Sequence, residues 1–97
     1  MSISAIRIAA AKALHKKGMS QASIARQLGV AQAAVSKYLS NRYSKKIAKV
    51  EKLIESKGLH REVVGLINAK KTRREILRRI DQIASSNYLL KEVLKIS

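Results

Sequence analysis

An all-α chain is what this sequence predicts: a bundle of about five helices with a C-terminal helical extension. Three observations carry that expectation. No proline occurs in the 97 residues, and alternation of apolar and polar positions is scarce, so nothing breaks helices and little favours strands. Apolar residues instead recur in steps of three and four along most of the chain, the spacing of one helix face. Glycines stand where those runs stop, at Gly18, Gly29 and Gly58, as they do where helices end in left-handed backbone.

The first helix is expected within Met1–Gly18, with Ser2 or Ser4 as its cap. Ile3, Ile6, Ala10, Ala13 and Leu14 form its inward stripe. Arg7, Lys12, Lys16 and Lys17 lie mostly off that stripe, and the cations crowd the last turns, where the helix dipole favours them. Ser20 is the next cap. Met19 before it and Ile24 within the helix suit a hydrophobic staple.

Residues 20–40, SQASIARQLGVAQAAVSKYLS, then read as two short helices around a turn at Gly29. The first spans about Gln21 to Leu28 and turns Ile24, Ala25 and Leu28 inward. The second spans about Gln32 to Leu39 and buries Val35. Ala25 is small where two helices must cross closely, and Val30 plugs the corner. This order of features is that of a helix-turn-helix, whose second helix enters the DNA major groove. The bland alternative is a helical hairpin in a small bundle.

The outward face of the second helix carries Gln32, Ala33, Ser36 and Lys37. Gln32 has the geometry to pair with adenine N6 and N7, Ala33 to touch a thymine methyl, and Ser36 to take several partners. Lys37 can reach a guanine or a phosphate. Gln21 at the start of the first helix, with nearby amides, is suited to a phosphate or is a plain exposed polar residue. Ser40, Arg42, Lys45 and Lys46 follow the recognition helix and are expected along the DNA backbone. Tyr43 either packs under the motif or offers its hydroxyl to a phosphate.

Ser44 caps a fourth helix, Lys45 to Lys57, with Ile47, Val50, Leu53 and Ile54 inside and lysines outside. A fifth, about His60–Asn68, turns Val63, Leu66 and Ile67 inward. Thr72-Arg73-Arg74-Glu75 is a capping box that starts the next helix at Arg73. From there Ile76, Ile80, Ile83, Asn87, Leu90 and Leu94 repeat in steps of four and three. That is a short heptad-like seam, with an interior Asn of the kind that sets register in a helix pair. The reading leans to one kinked or continuous helix used for dimer contact. The alternative is that Ser85-Ser86-Asn87 caps a separate last helix. Residues 1–58 therefore form the binding region and residues 59–97 the dimerising extension.

Charge narrows the partner. Lys and Arg number 21 against 6 acids, a net charge of +15, which opposes folding unless a polyanion offsets it. Residues 1–58 hold twelve bases and two acids, against nine and four in residues 59–97, so the excess gathers around the motif. With no Phe or Trp, stacking platforms for single strands lack material, and double-stranded DNA is the expected partner. No long apolar segment or signal peptide suggests a membrane or export, so the cytoplasm and its nucleoid are the expected location. Cysteine is absent, and the two histidines have no metal-site spacing. None of the six acids stands in helical register with His or Cys for acid–base work. Neither an enzyme, a cofactor nor a small-molecule effector is expected.

Residues 19–42, MSQASIARQLGVAQAAVSKYLSNR, resemble the helix-turn-helix of the lambda-repressor-like (Xre-type) superfamily. They are most similar to small archaeal transcriptional regulators whose motif runs Ser-Gln-x-x-Ile-Ala-x-x-Leu-Gly-Val-x-Gln-x-Ala-Val-Ser-x-Tyr-Leu-Ser. The resemblance covers about a quarter of the chain. It implies backbone contact by Gln21, base reading by Gln32, Ser36 and Lys37, and homodimers on inverted repeats. Ala31 stands where the family often has Ser or Thr, which removes a capping group. The expected function is a sequence-specific transcriptional regulator. The competing expectation is an architectural, chromatin-like or plasmid-partition DNA-binding protein, whose affinity comes mainly from phosphate neutralisation.

Overall fold

A computed structural model describes residues 2–96 of the chain. These residues form seven helices: α1 (Ser2–Lys16), α2 (Gln21–Leu28), α3 (Gln32–Leu39), α4 (Lys45–Lys57), α5 (Arg61–Asn68), α6 (Arg73–Ala84) and α7 (Asn87–Ile96).

α1 is the hub. It packs against α2, α3, α4, α5 and α6, and Ala5, Ile6, Ile8, Ala9, Ala10, Ala11 and Leu14 are all buried. Its alanines let several helices approach one axis. The five-residue stripe expected from the sequence is too narrow, because Ile8, Ala9 and Ala11 are inside as well. A helix surrounded by others needs no polar face, so its periodicity understates its burial.

α2 and α3 are set by their ends. The Ser20 hydroxyl accepts the Ser23 amide at 3.2 Å. Gly29 closes α2 at φ 69°, and the Val30 amide donates back to the Ala25 carbonyl at 3.0 Å. An L-residue with a side chain rarely takes that backbone. Ile24, Ala25, Leu28 and Val35 are buried, with Val30, Tyr38 and Leu39 packed against the same core. After α3, Asn41 takes φ 59° and the Arg42 amide donates to the Lys37 carbonyl at 2.9 Å. Asn serves here as Gly serves at the end of α2.

The C-terminal third departs from the expected arrangement. α6 packs on α1 and α2, and Ile76, Ile80 and Ile83 sit in the core shared with α1–α5. Residue 58 therefore marks no break in the packing. The radius of gyration is 12.4 Å, against about 12.5 Å for a compact domain of this length, so residues 59–96 fold back and do not project. α6 and α7 are also separate helices. The Ser85 hydroxyl donates to the Asp81 carbonyl at 2.8 Å and the Ser86 hydroxyl to the Ile83 carbonyl at 2.9 Å, while the Ser86 oxygen accepts the Leu89 amide at 3.3 Å. Serines that bond the backbone in this way end one helix and cap the next.

That break resets the helical phase. α7 turns Leu89 into the core, with Val93 partly buried. Leu90 and Leu94 face out, 47% and 74% exposed, and Asn87 is exposed too. The seam read from the sequence is thus divided. Its three isoleucines are spent inside one chain, and its last three members lie on the surface.

Candidate nucleic-acid interface

α3 is held by one face and presents the other. Val35 is fully buried, whereas Gln32, Ala33, Ser36 and Lys37 are all exposed or nearly so. These four stand at spacings of one, four and five, so they share one side of the helix. Their short side chains leave the helix slim enough to lie in a major groove. Ala31 precedes α3 at φ −71°, ψ 149° with no side-chain cap.

The residues expected along the backbone are spread around this helix. Gln21 is half-buried at the start of α2; Arg42, Lys45 and Lys46 are exposed. Lys45 and Lys46 occupy the first turn of α4, where no acid stands and where cations oppose the helix dipole. Ser40 is exposed, but its hydroxyl donates to the Ser36 carbonyl. As placed, that proton is not free for a phosphate oxygen, because a hydroxyl carries only one.

An ionic cluster around a buried carboxylate fixes the link after α3. The Lys12 ammonium on α1 donates to Glu51 Oε2 on α4 at 2.8 Å, to Asn41 Oδ1 at 2.6 Å and to the Tyr43 hydroxyl at 2.7 Å. All three ammonium protons are used. The Tyr43 hydroxyl in turn donates to Glu51 Oε1. Tyr43 therefore packs under the motif, with its hydroxyl bound inside the protein. Glu51 is the one buried charged residue among those described. Burial would raise its pKa, but hydrogen bonds from Glu55, Lys12 and Tyr43 and the Lys12 charge outweigh that and hold it below the ordinary value. The cluster joins α1, the Asn41–Tyr43 link and α4, so Arg42, Lys45 and Lys46 start from anchored backbone.

Two cations close to the recognition helix have no local signal in the sequence. Ala22, Arg26, Gly29, Gln32 and Arg73 line one surface concavity. Arg73 Nε donates to the Arg26 carbonyl at 3.0 Å, which draws the start of α6 to the end of α2. The basic run from Lys70 is visible in the sequence; its position beside Gln32 depends on how α6 packs.

No three of His, Cys, Asp and Glu are grouped to hold a metal ion among the described residues. His60 is pushed below its usual pKa by burial and by the neighbouring Arg61 charge. No helix among the described residues is long and apolar enough to cross a membrane.

Comparison with known proteins agrees with this architecture. The helix-turn-helix family model matches residues 8–60, more than half of the chain, running from within α1 past the end of α4. No curated protein and no solved structure matches the chain. A helix-turn-helix is a DNA-binding module, in keeping with the outward face of α3 and its flanking cations. The chain belongs to the helix-turn-helix family.

Proposed function

We propose that this protein is a sequence-specific, double-stranded DNA-binding transcriptional regulator of the Xre type, acting on the nucleoid in the cytoplasm. The observation that carries the reading is α3 itself. Gln32, Ala33, Ser36 and Lys37 face outward together while Val35 on the opposite side is buried. A helix so divided offers a hydrogen-bonding amide, a small apolar contact and a cation to base edges. Gln21, Arg42, Lys45 and Lys46 supply the backbone contacts that fix its register. Ser40 joins them if its hydroxyl turns away from the Ser36 carbonyl.

The chain acts as a homodimer through α7. Among the described residues, Tyr88, Leu90 and Leu94 are the large hydrophobic residues left exposed, and all lie on that helix. Charge favours a second copy there. From residue 80 onward, Asp81 and Glu92 offset Lys91 and Lys95, so the whole excess of +15 lies on residues 1–79. Two such chains repel at most approaches and meet at α7 without that cost. Of the six-residue seam, Asn87, Leu90 and Leu94 take part in this contact, and the buried isoleucines support α7 from behind. No effector is needed, and occupancy follows protein concentration.

Selection of bound duplexes from a random pool at physiological salt, with the mass of the complex, tests both parts. A recovered inverted repeat bound by two chains supports the regulator. Absence of any enriched sequence, with bound mass growing along the DNA, supports the architectural alternative, which the large basic excess favours.

A further inference from the structure

Four of the six cations of residues 70–79, Lys70, Lys71, Arg74 and Arg78, have no side-chain role in the fold among the described residues. This stretch, KKTRREILRR, holds six cations and one acid. Arg79 is paired: its Nε donates to Glu62 and its Nη1 to Gln82. Arg73 bonds only a backbone carbonyl. Lys70, Lys71, Arg74 and Arg78 are exposed, and none forms an ion pair among the described residues. Arg73 and Arg74 sit in the first turn of α6, where the helix dipole disfavours positive charge. Arg74 and Arg78 are one turn apart, a spacing at which like charges repel.

Position gives this charge a use. Arg73 lines the concavity that contains Gln32 and Arg26, and also the neighbouring one with Arg74, Leu77, Arg78 and Asp81, where three cations stand against one carboxylate. The basic surface therefore continues from the start of the recognition helix along α6. It is anchored there from both sides: Leu77 methyls lie 3.5 Å from where a Cβ on Gly29 would stand, and Ile76 and Ile80 are in the core. Cations on a fixed helix beside a groove-reading helix suit the phosphates that flank the read base pairs.

We propose that Arg73, Arg74 and Arg78, with Lys70 and Lys71 before them, form a second phosphate-binding surface that grips the DNA backbone beside the start of α3. It extends the interface beyond the helix-turn-helix into the C-terminal third of the chain. The proposal rests on the DNA-binding reading given above, and its test separates the two.

The test is the salt dependence of binding by the full chain to one fixed duplex of arbitrary sequence. Wild type is compared with Arg74→Gln/Arg78→Gln and with Lys57→Gln/Arg61→Gln, two exposed cations at the end of α4 and the start of α5, which removes the same charge away from both α3 and α7. Removing one phosphate-binding cation should flatten the plot of log K against log salt by about 0.9. The α6 pair should flatten it by about 1.8, so its affinity falls about tenfold less than wild type between about 50 and 200 mM salt. The Lys57/Arg61 pair should leave the slope unchanged. Arg73→Gln alone should flatten it by about 0.9, with the thermal transition recorded because this side chain also bonds Arg26. Equal slopes for the α6 pair and the Lys57/Arg61 pair, with wild type binding well, overturn the surface and leave the DNA reading standing. Failure of the wild type to bind any duplex overturns both.

Discussion

Lys12 Nζ on α1 lies 2.8 Å from Glu51 Oε2 on α4, and the Glu51 side chain is only 5% exposed. This pair, with Tyr43 and Asn41 bonded into it, fastens the link that follows the recognition helix. A carboxylate so placed depends on its cation, because a buried charge without a partner is costly. Lys12→Met should therefore destabilise the fold by about 1–3 kcal/mol, less than for a fully buried pair because Lys12 is partly exposed. Lys12→Met/Glu51→Leu should recover most of that loss, since apolar replacement of both partners is often near neutral. Urea denaturation of the two single variants and the double variant measures the coupling. Additive losses would show that the two groups act independently.

Glu55 stands one turn after Glu51 and behaves oppositely. Partial desolvation and the adjacent Glu51 carboxylate push its pKa up to about 7 from an ordinary 4.5. A raised carboxyl contributes stability that is complete below 4.5 and fades as pH rises through about 7. Glu51, held low, contributes stability above 4.5 that is lost on acidification. Stability from this pair should thus peak between the two limits. Glu55→Gln should abolish the decline between pH 4.5 and 7 while leaving the acid limb intact. Melting curves across that range check it, and an unchanged decline in the variant would assign it elsewhere.

Ala31 occupies a cap position whose backbone is already set. Its φ −71° and ψ 149° match those of Ser20 (−71°, 155°), Ser44 (−64°, 156°) and Thr72 (−66°, 154°), each of which accepts an amide from its helix. Ala31→Ser should add that missing bond and stabilise the fold by about 0.5–2 kcal/mol. The melting temperature should rise by about 4–8 °C per kcal/mol gained. A rise in stability with weaker DNA binding would show that the uncapped end of α3 is kept open for its ligand.

Local chemistry made much of this fold readable. Ser20, Ser44 and Thr72 cap the helices their spacing indicated, and Gly29 and Gly58 close them in left-handed backbone, because caps and turns act within a few residues. The outward side of α3 followed from the same short-range periodicity. What failed depended on distant partners or on phase. Leu90 and Leu94 continue the spacing of Ile76, Ile80 and Ile83, yet two backbone-bonding serines shift α7 so that Leu89 points inward. Glu51 is buried by a lysine from α1 and a tyrosine from the link, which no local pattern in α4 announces. Arg73 reaches the recognition helix only because α6 packs against α2.

Gln32 gives the most direct test of how α3 reads DNA. It is exposed at the first position of the helix, where docking brings residues closest to base edges, and Arg26 and Arg73 share its concavity. An amide that pairs with one adenine distinguishes that base pair by about 1–3 kcal/mol. Gln32→Ala should therefore lose about that much on the selected sequence and very little on random duplex, with relaxed preference at one position of each half-site. Lys37→Gln should weaken both duplexes alike and flatten the salt dependence if its partner is a phosphate. Competition binding of both variants to cognate and random duplexes at fixed salt separates the roles. Equal losses on the two duplexes for Gln32→Ala would remove Gln32 from base reading and leave recognition to Ser36, Ala33 and the shape of the site.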